Sequence, residues 1–274
     1  MFLWLVITFG IPILLLFLLR PGALHPPSVW TIQGDLSSKS VAAFCVLLAT
    51  WLVARLQKRS MADYGIPLRK ALGGRFWEGA LWGFAMLSAL LLLLHAFGQF
   101  QINSVALTGS AFFKYALGWA LAFYCVGISE EFAFRGYLFF IAARRIRFWR
   151  AAVALSIGFA VAHLPNPGET LLGILQVLAV GLLFCLTIRR TGNLWFAVGF
   201  HASWDWAQTF FYGTPDSGLL GEGHFLNSSV QGPNWVTGGS AGPEGSIFAL
   251  LILSFSALLI HWRFPKPVYP DRPA

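Results

Sequence analysis

Apolar residues gather into eight blocks along the chain, at about 2–19, 40–55, 76–97, 112–143, 150–164, 171–188, 194–212 and 246–262. Several approach the ~20 residues that a membrane-spanning helix needs; 150–164 is short and 112–143 is long. The pattern predicts an all-α, polytopic transmembrane bundle of about eight helices. The first block has no basic region ahead of it and no clear small-residue cleavage site. It reads as a retained helix kinked at Pro12, not as a signal peptide. Small residues at Gly79, Ala80 and Gly83 predict that the third helix packs closely against a neighbour. No internal repeat or heptad pattern is present. Trp30, Trp51, Trp77, Trp149, Tyr212 and Trp262 lie near block ends, where interfacial belts form.

Composition strengthens this class. The chain is 57% hydrophobic and 11% charged, against ~25% charged in an ordinary soluble domain. The net charge of +8 raises the possibility of nucleic acid, but its placement answers otherwise. With the N-terminus in the cytoplasm, fifteen of the 19 Lys and Arg fall on the cytoplasmic side. Arg20, Lys39 and Lys114 fall opposite, and Arg135 is inside the membrane. The charge is then an orientation signal that places both termini in the cytoplasm. Cys45, Cys125 and Cys185 all sit in apolar blocks, so they imply buried small hydrophobes and no disulfide framework.

The stretch 213–245 is rich in Gly, Pro, Asn and Ser and has no Lys or Arg. Its composition suits a solvated connector on the outer face. A cap over the bundle end, anchored by Trp235, is the alternative. The chain divides accordingly into N-terminal helices (1–110), a core (111–212), this outer loop, and a last helix with a cytoplasmic tail (246–274).

A few ionisable residues interrupt the blocks. Glu130, Glu131 and Arg135 lie in the fourth, His163 in the fifth, and His201 and Asp205 in the seventh. A charge at the centre of a membrane helix costs on the order of 2.5–3.5 kcal/mol even on the lenient scale, and such residues mark functional sites by default. Glu131 and Arg135, one turn apart, are expected to pair. Glu130 points about 100° away, toward histidines on other helices. Measured at ~1.5 Å per residue from the nearest cytoplasmic arginine, Glu130, His163, His201 and Asp205 lie at depths of roughly 21, 20, 17 and 23 Å. One polar layer results. Each group alone has a structural explanation: histidines hydrogen-bond in packed interfaces, and Asp205 could orient His201 or accept from Trp204. His25, His95, His224 and His261 lie near block ends or in loops and suggest no role.

The ordered series Glu130-Glu131-x-x-x-Arg135, Phe159-x-x-x-His163 and His201-x-x-x-Asp205 resembles the CPBP family of intramembrane proteases, the type II CAAX prenyl proteases and bacteriocin-processing enzymes. The resemblance spans about residues 110–212. It implies an intramembrane endopeptidase whose polar site opens toward the cytoplasm. In that pattern Glu130 would be the general base and His163 would help hold the attacking water. His201 and Asp205 would stabilise the oxyanion, with Glu131 and Arg135 in support. The last position is often Asn, and an ionised Asp205 cannot donate a hydrogen bond, so that role requires a proton there.

The expected substrate is a membrane-associated or hydrophobic, CAAX-like peptide. The bilayer is the other partner, nucleic acid is not expected, and the location is the cell membrane, or the endoplasmic reticulum in a eukaryote. A metal-free glutamic mechanism is preferred. The rival is zinc held by Glu130, His163 and His201, a legitimate ligand set that would offset the surplus carboxylate charge. A non-catalytic immunity or scaffold protein of the same fold is the alternative function. A transporter or proton relay would call for matching repeats and broken helices, which the chain lacks.

Overall fold

The computed structural model describes residues 1–19, 30–269 and 271; Arg20, His25 and Arg272 lie outside them. The fold is mostly helical. The first span runs through α1 (Phe2–Leu5), a π-helical turn (Val6–Gly10) and α2 (Ile11–Leu19). The π turn ends just before Pro12, which lacks the amide proton a regular helix needs there. Then follow α3 (Ile32–Leu56), α4 (Gly74–Ala96), α5 (Gly109–Arg135), α6 (Tyr137–Ile146), α7 (Phe148–His163), α8 (Leu171–Thr191) and α9 (Trp195–Trp206). A π-helical stretch (Ala207–Phe211) prolongs α9; the short α10 (Asn234–Thr237) and α11 (Ile247–Arg263) complete the order. Ile32–Leu56, Gly74–Ala96, Gly109–Ile146 and Leu171–Thr191 are long and apolar enough to cross a bilayer.

The bundle has two chemically different ends. At one, the loops carrying the arginines are tied together. Arg144 reaches the carbonyl of Asp63, Arg189 that of Tyr269 and Arg190 that of Pro265, while Arg263 meets Glu78. At the other, β1 (Phe100–Val105) pairs antiparallel with β2 (Leu226–Val230), and Trp30 bridges to Gly221. The ribbon was hidden from hydropathy, because Phe100-Gln101-Ile102-Asn103 alternates with period two and carries too few apolar residues to form a block.

Three boundaries differ from expectation for physical reasons. The second helix begins at Ile32, eight residues before its apolar block, because the Thr31 side chain accepts from the Gly34 amide and caps a polar first turn. Lys39, counted from sequence as an outer-loop cation, is therefore inside α3. The long fourth block breaks at Gly136, between α5 and α6. The stretch 213–245 is a folded cap: Thr214, Asp216, Leu226 and Ala241 are buried, while Trp235, the expected anchor, is 63% exposed.

Close helix packing sets the frame. A β-carbon at Gly79 would collide with the Phe196 carbonyl, one at Gly83 with that of Phe200, and one at Gly199 with that of Phe76. α4 and α9 thus lie backbone to backbone, as expected of the small residues in α4. Trp30 packs edge-on against Trp119 and Phe123. Cys45 and Cys185 are buried and Cys125 is half-buried, all as free thiols.

Candidate active site

Four helices bring the layer together. α5 supplies Glu130 and Glu131, α7 ends on His163, α9 carries His201 and Asp205, and α3 brings in Lys39. Glu131 and Arg135 are fully buried. Arg135 Nη1 donates to both Glu131 oxygens, at 3.0 and 3.2 Å. The guanidinium also lies 4.1 Å from the Phe159 ring centroid, over a face that stabilises a cation where water is absent. Room for it comes from Gly181 on α8, whose missing side chain would meet Arg135 Nη2.

Glu131 does more than hold Arg135: its Oε1 accepts from His201 Nδ1 at 2.9 Å. That bond fixes the ring and turns Nε2 toward Glu130 Oε2 at 3.9 Å and Asp205 Oδ2 at 3.4 Å. His163 Nδ1 bonds the Phe159 carbonyl at 2.8 Å, which can only accept. The neutral ring is therefore protonated on Nδ1 and presents a bare Nε2, 4.0 Å from Glu130 Oε2. The expectation that Glu130 faces both histidines is met. Asp205 does not accept from Trp204, whose indole donates to Gln208 instead.

Lys39 is the residue that sequence reasoning missed. Its Nζ donates to Glu130 Oε1 at 2.8 Å. The side chain is 32% exposed, and the pair sits beside the cavity. Three carboxylates against one arginine left this layer at a formal −2, and Lys39 supplies one of the two missing positive charges. The available signal was its spacing of four from Asp35 behind the Thr31 cap, which makes a helical turn of what hydropathy left as a loop.

Glu130, His163, His201 and Asp205 all line one cavity of about 340 Å³ with Asp35, Lys39, Asn166 and Asp216. Asn166 belongs to the turn after α7 and Asp216 to the cap, so the cavity is bounded at the ribbon end of the bundle. Toward the arginine-rich end it is closed by packed side chains: Phe132, Glu131, Arg135 and Ser156 are buried. An opening toward the arginine-rich face, which the resemblance implied, is not what the helices form.

Among the described residues, no group of three His, Cys, Asp or Glu side chains is arranged to hold a metal ion. Glu130 and the two histidines are a zinc set by type, and both imidazole Nε2 atoms, 3.9–4.0 Å from Glu130 Oε2, are near enough to share with it one ion held at about 2.0–2.2 Å. The ammonium of Lys39 is a cation already bound to the carboxylate that the ion would need. Lys39 on Oε1 is the observation that weighs against zinc at a set of residues that otherwise matches it by type.

The fold and these polar groups define a polytopic membrane protein with a carboxylate–histidine centre inside the bundle. Residues 112–207 match the family of type II CAAX prenyl endopeptidases, Rce1-like. The family that the three motifs resemble is thus the one found, and the matched stretch contains Glu130, Glu131, Arg135, His163, His201 and Asp205. The match supports a CAAX-type intramembrane protease kind of function. No curated protein matches the chain.

Proposed function

We propose that this protein is an intramembrane endopeptidase that hydrolyses a peptide bond with a water activated by Glu130, without a metal. The observation that carries this reading is the convergence of the Glu130 carboxylate and both imidazoles on one cavity. Lys39 occupies Oε1 of Glu130 and leaves Oε2 facing the histidines. A water between Glu130 Oε2 and the bare His163 Nε2 has an acceptor for each of its hydrogens. Its lone pair is then free for the carbonyl carbon.

As the C–O bond forms, Glu130 takes the water proton and negative charge collects on the carbonyl oxygen. His201, in its imidazolium form, offers Nε2–H to that oxygen. Glu131 holds the other ring nitrogen. Asp205, 3.4 Å from Nε2, can serve the same oxyanion only when it carries a proton. When the C–N bond breaks, Glu130 returns its proton to the leaving amine. The carboxylate is then regenerated, and two new chain ends depart.

The test is cleavage of a quenched peptide library by purified protein in detergent. Glu130→Gln is expected to lower kcat by about 10³-fold, within the range for loss of a general base, and a zinc chelator to change it by less than twofold. Undiminished cleavage by Glu130→Gln removes the assigned base; loss of activity with chelator, restored by zinc, removes the metal-free mechanism.

A further inference from the structure

We infer that substrate reaches Glu130 from the ribbon end of the bundle, so that the bond cut lies in the non-cytoplasmic segment of a membrane-anchored protein. This deepens the protease reading and rests on it. Two independent observations carry the inference.

The first is which end of the site is closed. Below the catalytic layer, toward the arginine-rich end, the Glu131–Arg135 pair is wholly buried and sandwiched against Phe159 and Phe184. Any path through it would have to break an ion pair with no exposure to water. Above the layer, the walls are Trp30, Asn166, Pro167, Ser217 and Leu219, all outside the spanning helices and all but the first in turns or the cap. His163 itself is the last residue of α7, so its ring already sits at the helix end facing the cap.

The second is charge. Fourteen described Lys and Arg gather at the closed end, among them Arg55, Arg69, Arg144, Arg150, Arg189 and Arg263. At the ribbon end, only Lys114 stands outside the cavity among the described residues. By the positive-inside rule the closed end is cytoplasmic and the cavity faces the opposite compartment.

Two measurements test this in bacterial cells expressing the full chain. Ser240, exposed beside the cavity walls, and Lys70, exposed at the arginine-rich end, are replaced singly by cysteine. Ser240→Cys is expected to react with a membrane-impermeant maleimide in intact cells, and Lys70→Cys only after permeabilisation, with the parent chain as blank for its three cysteines. The reverse labelling overturns the assignment of sides. In the second arm, two single-span reporters carry the same randomised segment, one on the non-cytoplasmic and one on the cytoplasmic side of the span. Cleavage of the former alone, abolished by Glu130→Gln, is expected. Glu130-dependent cleavage on the cytoplasmic side overturns the access route and leaves the protease reading standing. Cleavage of neither reporter overturns both.

Discussion

At the scale of single residues, the site is a chain of fixed acceptors and donors ending on one free oxygen. Lys39 is its least expected member and makes a sharp prediction. If Lys39 holds Oε1 so that Oε2 faces His163, then Lys39→Met leaves the carboxylate free to rotate and removes the nearest compensating charge. The expected result is a fall in kcat of about 10²-fold, the lower bound for disabling a general base, with KM changed less than threefold. Lys39→Arg, which keeps charge and a donor, should recover most of that loss. Steady-state kinetics on the peptide library decide it: an unaltered kcat in Lys39→Met would sink the positioning role. Glu130, His163 and His201 were legible in the sequence because each is an anomaly in an apolar run. Lys39 was not, because it stands among Ser37, Ser38 and Ser40 at a block edge, where a lysine looks like a loop residue. Only its partner 91 positions away explains it, and hydropathy carries no information on partners.

Among the elements, the position of His201 depends on how near α9 can come to α4. The carbonyl of Phe200, its immediate neighbour, lies against Gly83, where a β-carbon would clash. Gly83→Leu must push the helices apart, at about 1–3 kcal/mol for overpacking a closed interface, and carry the imidazole off Glu131. A lower unfolding temperature in detergent and at least a tenfold loss of activity are expected. Leu81→Val, on the same helix at a position 68% exposed, is the control and should change neither. If Gly83→Leu cleaves as fast as the parent, α9 is not placed by this contact. The small-residue stripe was readable because glycine in a membrane helix has few uses other than close approach. The break at Gly136 was not, since the apolar block runs through it without interruption. The ribbon escaped for the opposite reason: its strands are too polar to register as blocks.

The whole molecule sets a compact polar lid over an apolar bundle, and that lid carries buried acid. Asp216 accepts from Thr209 at 3.1 Å, and Glu244 accepts from the Ser217 amide at 2.7 Å and from Gln208. Burial pushes Asp216 from its ordinary 3.8 up to about 7, and raises Glu244 as well, with Asp35 and Glu130 adding like charge to Asp216 and His201 opposing them. A carboxyl raised in the folded state binds its proton more tightly there than in the open one. Its contribution to stability is complete below 3.8 and is lost as pH climbs through about 7. The cap should therefore be held most firmly in mild acid. Hydrogen exchange of residues 213–245, corrected for intrinsic rates, is expected to show protection about tenfold lower at pH 8 than at pH 5, with a smaller difference in Asp216→Asn. Equal protection at both pH values would mean that Asp216 is ionised without cost, and that its burial does not hold the cap. Because Asp216 and Ser217 wall the cavity, loosening this segment also widens the side from which substrate is inferred to arrive. Cleavage by the parent and by Asp216→Asn should then diverge most above pH 7, where the parent loses its proton and the variant stays neutral.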